Sequence, residues 1–321
     1  MKLYSKENAL RPIEAMSRSG RFVHSYILTG EKGVGKKTFA RYIAMQLLCE
    51  NRNACGECRQ CSRVLRGQHP DFIEVTRESG KVNYSVDDIR DKVVADSYIS
   101  PNDCERKVYL LTDCEGWQDS CQDALLKITE DPPDAAYFIF TSANKSSFLT
   151  TLISRSMTIE LHEADRESCK EALRDTGKYS EEDIARAVDS FGGNIGRCID
   201  FLEGDADLIK SAEAVKKAME AIVSRDEYSL AAILGGISSK REEMRCTLEM
   251  LARSIRDGAV LRNGSNETVS CTEASSRKLA ERFSTGRILE IYDAVCEASY
   301  RCTRNCNAQG AAAVLAGKLC R

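Results

Sequence analysis

The sequence lacks several features that would place it in a special class of proteins. Its 321 residues include only five prolines and one tryptophan. It has no run of about 18 apolar residues that could form a membrane-spanning helix. The N-terminal stretch Met1 to Glu7 has no apolar core of the kind found in secretory signals. With 42% hydrophobic and 30% charged residues, the composition is that of an ordinary globular protein. We therefore expect a cytoplasmic protein of roughly two or three domains, with no membrane partner.

The chain as a whole has no large excess of positive or negative charge, since its formal net charge is only −3. The distribution is nevertheless uneven. Residues 1–70 carry 13 lysines and arginines against five glutamates, a balance of +8 that leaves −11 for the remainder. The basic part suits an anion such as a nucleotide or the DNA backbone, and a solvated helix face explains it nearly as well. Overall acidity argues against tight general DNA binding by this chain alone.

Disulfide bonds are not expected, although the chain has 15 cysteines, because nothing in the sequence indicates export to an oxidising compartment. Eleven cysteines are scattered singly and have the character of small buried apolar residues. The remaining four lie within 13 residues, at Cys49, Cys55, Cys58 and Cys61. Two of their three spacings are Cys-x2-Cys, which predicts a tetrahedral zinc site. Such a site would be structural, because the protein supplies all four ligands; the alternative is free thiols in a mobile loop.

A phosphate-binding loop is the most informative motif of the sequence. Residues Gly30 to Thr38 read Gly-Glu-Lys-Gly-Val-Gly-Lys-Lys-Thr, between the apolar run Val23–Leu28 and the apolar-periodic run Phe39–Leu48. A strand, a glycine turn and a helix form the context in which backbone N–H groups converge on an anion. Lys36 would contact the phosphates as a point charge. The alternative is a strand-turn-helix that binds nothing. The candidate loop ligands are Gly30, Gly33, Gly35, Lys36 and Thr38.

The groups that normally hold Mg²⁺ are missing from this motif. The residue after the loop lysine should be Ser or Thr, but it is Lys37. Thr38 follows one residue later, about 100° further around the helix, and cannot simply take its place. The second acidic motif of such ATPases is altered as well, because Thr112 stands where the metal-binding Asp belongs. Asp113 follows it in the second acidic position and stays a candidate site residue that could still reach a metal. Two independent losses at one ion favour a site without ATP hydrolysis, while binding of ATP or ADP stays open.

The order of apolar runs predicts the architecture. Strand-like and helix-like runs alternate up to Leu161, which predicts an α/β fold with a parallel sheet and helices on both faces. Asn144 follows one predicted strand, at a position where polar groups commonly face phosphates. After His162 the pattern is helical, and the last part contains no proline. We expect a core domain at 1–162, a small helical domain at 163–205 and an all-α domain at 206–321.

Taken together, these residues resemble the clamp-loader subunits of the bacterial replicative polymerase, DNA polymerase III, which are AAA+ proteins. The resemblance implies an AAA+ phosphate-loop core with an inserted zinc module, a helical lid, and an all-α collar through which subunits oligomerise. Besides the loop and the four cysteines, it spans nearly the whole chain and rests on Phe22–Tyr26, His69–Asp71, Ala124–Pro133, Phe138–Ser142, Ser154–Ser156 and Arg304–Asn307.

The resemblance also implies roles for individual residues. Lys37 and Thr112 favour the stator type, the delta-prime subunits, over the ATP-hydrolysing gamma/tau motor type. Arg155 lies in Ser-Arg-Ser where the family has Ser-Arg-Cys, which implies an arginine finger acting on a neighbouring subunit's ATP. As a lone residue it would otherwise be a solvated surface charge. Arg197 lies near the place of a nucleotide-sensing arginine, and a surface helix charge is the alternative.

The function implied by the resemblance is that of one subunit of the DNA polymerase III holoenzyme. It would sit in a pentameric ring with gamma/tau and delta subunits and support loading of the sliding clamp on primer-template DNA, without ATP turnover of its own. Two alternatives stay open. The first is an ATP-hydrolysing motor subunit. The second is a zinc-stabilised DNA-binding module, which would bind DNA tightly and with strong salt dependence as a lone chain.

Overall fold

A computed structural model describes residues 2–320, except for 77–83, 116, 238–240, 266–267, 269, 271 and 303–307. The chain divides into two compact units, Met1–His162 and Glu163–Arg321. The late motif Arg304–Asn307, on which part of the resemblance rests, lies outside the described residues. A further division of the second unit at residue 205 stays a prediction.

The first unit contains a five-stranded sheet in which all neighbouring strands are parallel. Its spatial order is β2-β3-β4-β1-β5. Parallel neighbours cannot be joined by a tight turn and need crossover connections, which here contain helices. The α/β fold with a parallel sheet is therefore confirmed. The strands are β1 Ser25–Thr29, β2 Phe72–Val75, β3 Lys107–Leu111, β4 Ala136–Ser142 and β5 Met157–Glu160.

The helices of the first unit are short to medium in length. A π-helical segment, Arg90–Ala95, continues the fourth of them, and a 3₁₀ turn, Lys145–Ser147, follows β4. The α-helices are α1 Glu7–Ser19, α2 Lys36–Leu48, α3 Arg59–Leu65, α4 Val86–Ile89, α5 Asp119–Glu130 and α6 Thr150–Ser154. Helix α5 stops at Glu130, because Asp131 precedes Pro132 and a residue before proline avoids the helical region.

Both faces of the sheet are covered, as the alternation of side chains along β1 illustrates. All five residues of this strand are buried. Tyr26 and Leu28 pack with residues of α1 and α2, whereas Ile27 packs with residues of α5 and α6. Successive side chains of a strand point to opposite faces, so these two clusters lie on opposite sides of the sheet. A strand buried on both faces needs the near-continuous apolar run that the sequence has here.

The second unit is helical throughout the described residues. Its buried apolar side chains, contributed by helices along its whole length, form one core cluster. Among the described residues of both units, none of the helices combines the length and the apolar character of a membrane span. The helices are α7 Arg166–Arg174, α8 Glu181–Phe191, α9 Ile195–Leu202, α10 Ala206–Ser224, α11 Glu227–Ile237, α12 Arg241–Arg262, α13 Glu273–Arg282, α14 Thr285–Cys302 and α15 Ala308–Cys320.

Candidate functional site

The glycine-rich loop connects the end of β1 to the start of α2. Three of its glycines have positive φ angles, 143° at Gly30 and 92° at both Gly33 and Gly35. Side-chain-bearing residues rarely adopt such angles. At Gly30 the space is also closed, because a Cβ atom there would lie 2.3 Å from the backbone oxygen of Leu161. The tight turn therefore depends on glycine, as the phosphate-loop motif requires.

The loop lysine, Lys36, lies inside this turn. Its side chain is the first of α2 and the residue is only 8% exposed. The Nζ atom donates hydrogen bonds to the backbone oxygens of Gly30, at 2.6 Å, and Glu31, at 2.9 Å. Burial lowers the pKa of Lys36, and the carboxylates of Glu115, Asp113 and Glu31 oppose that shift. The loop thus wraps around a buried ammonium group near three acidic side chains.

Lys37, which replaces the hydroxyl residue of the magnesium-binding pattern, contacts Asp113, the acidic residue that follows Thr112. The Lys37 Nζ atom lies 3.1 Å from Asp113 Oδ2, and the two side chains are 50% and 42% exposed. Asp113 follows β3 with φ of 55°, which is uncommon outside glycine, and its backbone N–H donates to Thr141 Oγ1 at 3.0 Å. Thr38 is exposed at the third position of α2. The ion pair was not foreseen from the sequence.

The end of β4 lies beside the loop. The backbone oxygen of Ala143 accepts a hydrogen bond from Gly30 N at 3.3 Å, and its N–H donates to Glu115 Oε1. Asn144 comes next, is exposed, and donates its backbone N–H to Ser142 Oγ at 3.3 Å. The carboxyl ends of β1, β3 and β4 therefore meet at one edge with the loop. Sequence reasoning missed Glu115; the available signal was a second acidic residue two places after Asp113.

The four cysteines of the predicted metal site converge. Their Sγ atoms all lie within 4.8 Å of one another. Cys49 Sγ is 3.7 Å from Cys55 Sγ and 3.9 Å from Cys58 Sγ. For four thiolates at the usual Zn–S distance of about 2.3 Å, the edge of the tetrahedron is about 3.8 Å. The sulfur spacing therefore fits a tetrahedral ion of this size.

Backbone N–H groups point at the sulfur atoms of this cluster. Cys58 N lies 3.3 Å from Cys55 Sγ, and Cys61 N lies 3.4 Å from Cys58 Sγ. The backbone N–H groups of Cys58 and Glu57 lower the pKa of Cys55 to about 6, so this thiol loses its proton readily. Burial raises the pKa of Cys61 instead. Donors of this kind stabilise thiolates, which is the form that binds a metal.

His69 and Asp71 have a structural role beside this cluster. His69 is not one of the four converging ligands; its Nδ1 accepts a hydrogen bond from Asp71 N at 3.0 Å. The fully buried Asp71 carboxylate accepts backbone hydrogen bonds from Asn102, Asp103 and Cys104 at 2.6 to 2.9 Å. It thereby fixes the loop that leads into β3. The three backbone N–H groups that bind the buried Asp71 carboxylate give the His69–Asp71 segment a structural role that needs no metal ion.

Arg155 lies just after α6, at the other end of the sheet from the loop. Its guanidinium group is 3.1 Å from Glu130 Oε1 and also donates to the backbone oxygen of Thr151 at 3.0 Å. The next residue, Ser156, is joined to the start of β1 by a 2.9 Å hydrogen bond between its Oγ and that of Ser25. Arg155 is an exposed residue, and its side chain is 31% exposed at this edge of the sheet.

Arg197 lies in the second unit and is 5% exposed, so the interpretation as a surface helix charge is wrong. Its Nη2 atom is 2.9 Å from Glu249 Oε2, and Arg245 binds the other carboxylate oxygen at 3.0 Å. A nearly buried arginine in such a pair joins α9 to α12. A nucleotide-sensing role stays a prediction.

Comparison with known proteins identifies the family. The profile of the family described as DNA polymerase III, delta subunit, matches residues 5–165. DNA polymerase III subunit delta-prime of Escherichia coli is 26% identical over 300 residues, 89% of this chain and 86% of that protein. The delta-prime subunit of Pseudomonas aeruginosa is 35% identical over 138 residues, 41% of each chain. A solved structure of the Bacillus subtilis clamp-loader delta protein aligns over 97% of this chain and 99% of its own, with 12% identity and a TM-score of 0.35.

Several other alignments are partial. In four relatives, gamma and delta-prime subunits alike, the chain spans 41% to 66% of the relative's length. The family match nevertheless covers half of this chain and includes the loop, the cysteine cluster and Arg155. The chain therefore belongs to the DNA polymerase III delta-subunit family, which is a clamp-loader family. Its relatives include delta-prime, gamma and tau subunits of this polymerase.

Proposed function

We propose that this chain is a delta-prime-type clamp-loader subunit that does not hydrolyse ATP and donates Arg155 to the ATP site of a neighbouring subunit. The observation that carries the proposal is the separation of two halves of an ATPase site on one chain. The phosphate loop lies at the carboxyl end of β1, and Arg155 lies at the amino end of the adjacent β5.

The sheet register gives the size of this separation. Tyr26 of β1 pairs with Met157 of β5, two residues after Arg155, and the loop begins at Gly30, after the far end of β1. Four residue steps along a strand measure about 13 Å, which is longer than an arginine side chain. The Arg155 guanidinium group therefore cannot reach a phosphate in this chain's own loop, which supports a role at the ATP site of another subunit. A planar, permanently charged group is suited to stabilising a phosphoryl group in transfer.

The proposed absence of ATP hydrolysis by this chain is based on the residues that replace the magnesium ligands near the loop. The first magnesium ligand is replaced by Lys37, whose ammonium group lies against Asp113. The second is replaced by Thr112, which is buried at the end of β3 and whose backbone N–H and C=O both contact the Tyr84 hydroxyl. The loss of these two ligands supports a site that does not hold Mg²⁺ between the β- and γ-phosphates, as phosphoryl transfer requires.

We assign a structural zinc ion to the four-cysteine cluster. The sulfur spacing supports this assignment, and all four coordination positions are filled by protein ligands, which leaves no open position for catalysis. The ion would hold the segment between α2 and α3. Cys49 directly follows α2, and Cys61 lies within α3.

The partners in this proposal are gamma/tau and delta subunits in a pentameric ring, which loads the sliding clamp on primed DNA. Residues 163–205 would act as the lid and residues 206–321 as the oligomerising collar. Family membership supports these assignments, since the relatives are DNA polymerase III subunits gamma, delta-prime and tau.

An Arg155→Ala substitution in the reconstituted ring tests the proposed role. Removing an arginine finger costs on the order of 10³-fold in hydrolysis at the site it serves. The ring's total ATPase rate should then fall by the share of that one site, while ring assembly persists. Arg90→Ala is a matched control, because Arg90 is also an exposed arginine of the first unit in a weak ion pair, 3.7 Å from Asp87. Equal hydrolysis by the two variants would refute the role of Arg155.

A further inference from the structure

The Lys37–Asp113 pair occupies a specific place relative to the phosphate loop. In phosphate-loop ATPases, Mg²⁺ is held between the residue after the loop lysine and an acidic residue at the end of a neighbouring strand. Here the first of these positions is Lys37, and its ammonium group lies 3.1 Å from the Asp113 carboxylate that follows β3. A positive charge carried by the protein therefore stands where the metal's charge would be needed.

We propose that the Lys37 ammonium group replaces Mg²⁺ as the counter-charge of this loop, so that the chain binds the polyphosphate of a nucleoside di- or triphosphate without a divalent metal. Lys37 would move from Asp113 to the phosphate oxygens, and Asp113 would hold it in place when the loop is empty. No bond is made or broken in this process, and the nucleotide is a fixed component rather than a fuel.

The loop around Lys37 is built as an anion site. Lys36 is buried within it and bonded to the backbone oxygens of Gly30 and Glu31, so a second ammonium group is already positioned at the turn. The positive φ angles of the three glycines give the turn a conformation that residues with side chains rarely adopt. The two lysines supply one positive charge fewer than the lysine and Mg²⁺ of other loops of this type, and so offset part of the negative charge of a polyphosphate.

The ion pair between Lys37 and Asp113 is weak enough for Lys37 to exchange Asp113 for a phosphate group. Both side chains are about half exposed, and ion pairs of this kind contribute little to stability because water screens them. Asp113 itself is fixed, since its backbone N–H is held by Thr141 Oγ1 at the end of β4. Lys37 can therefore leave its partner at little cost, whereas the carboxylate stays in place. This explains why a lysine is tolerated at a position that otherwise needs a hydroxyl group.

The test uses the isolated full chain, with ADP and ATP as probes and calorimetric titration in excess EDTA or in Mg²⁺. We expect binding in EDTA that is as tight as, or tighter than, binding in Mg²⁺. Lys37→Met should weaken binding in EDTA by about ten- to a hundredfold, the range for losing a hydrogen bond to a charged group. Lys37→Thr should weaken it similarly in EDTA and regain part of the loss in Mg²⁺, because the hydroxyl ligand is restored.

Two further variants separate this proposal from its alternatives. Lys92→Met is the matched control, since Lys92 is also an exposed lysine paired with an aspartate, Asp88 at 2.6 Å, elsewhere in the same unit, and the variant should bind normally. Asp113→Asn should keep or strengthen binding in EDTA, because it releases Lys37. Binding by the wild-type chain only in Mg²⁺, no binding at all, or loss of binding in Asp113→Asn would overturn the proposal. None of these outcomes depends on Arg155, so the ring experiment is judged separately.

Discussion

Removal of one cysteine ligand is the perturbation whose consequences the structure defines most sharply. Cys55 is half-buried and belongs to the four-sulfur cluster. We predict that the native protein holds about one zinc ion per chain and that Cys55→Ser loses it, because three ligands no longer close the tetrahedron. Cys104→Ser is the matched control. Cys104 is also half-buried and packs near the cluster, but it is not one of the four ligands.

The expected size of the effect follows from what else holds this segment. Ordering the residues between Cys49 and Cys61 costs roughly 1–2 kcal/mol for each residue. Burial of the Cys61 and Val64 side chains in α3 returns only about 3–5 kcal/mol. A structural zinc ion contributes about 10–16 kcal/mol in small zinc domains, which supplies the difference. Without metal, we expect this segment to unfold locally while the sheet persists.

Elemental analysis and hydrogen exchange together measure this outcome. Loss of at least about 3 kcal/mol of local stability accelerates amide exchange between residues 50 and 61 by roughly a hundredfold. Exchange in β1 and β4 should change little. Native protein that contains no zinc, or a Cys55→Ser variant with unchanged exchange in this segment, would refute the reasoning.

The other predictions concern Asp71 and Glu130. Backbone donors from Asn102, Asp103 and Cys104 outweigh burial and lower the pKa of Asp71, so its contribution to stability is present above the unfolded value near 4 and is lost as pH falls toward the folded value. Asp71→Asn should therefore cost about 2–3 kcal/mol in urea unfolding at pH 7 and much less near pH 2; an equal cost at both would contradict this account. For Glu130→Gln, which removes the exposed partner of Arg155, we expect unfolding free energy within about 1 kcal/mol of native and ring ATPase unchanged or raised by at most about fivefold. A strong decrease in ATPase would mean that Glu130 positions Arg155 for catalysis.

The sequence predicts well those features that short-range patterns determine. The parallel sheet follows from strands such as β1, whose five buried residues appear as a continuous apolar run. The end of α5 follows from Pro132 and Pro133, and the convergence of the cysteines follows from their spacing. In each case the residues that decide the structure lie within about a dozen positions of one another.

Contacts between distant parts of the chain could not be predicted from such local sequence patterns. Lys37 and Asp113 are far apart in sequence, and their contact depends on the left-handed backbone at Asp113 and on the place of β3 in the sheet. Arg197 looked like a surface charge until α12 brought Glu249 to it. A charged residue in a helix carries no local signal of burial, because its partner comes from another element.

The two-part claim, that this chain donates a finger but does not hydrolyse ATP, is tested most directly by one comparison in one reconstituted ring. Rings are assembled with this subunit carrying either Lys36→Ala or Arg155→Ala, and steady-state ATP hydrolysis is measured against the native ring with Mg²⁺ and primed DNA. We predict that Lys36→Ala leaves the rate nearly unchanged and that Arg155→Ala removes the contribution of the neighbouring site. A ring slowed by Lys36→Ala and unaffected by Arg155→Ala would contradict the account, because this chain would then hydrolyse ATP itself.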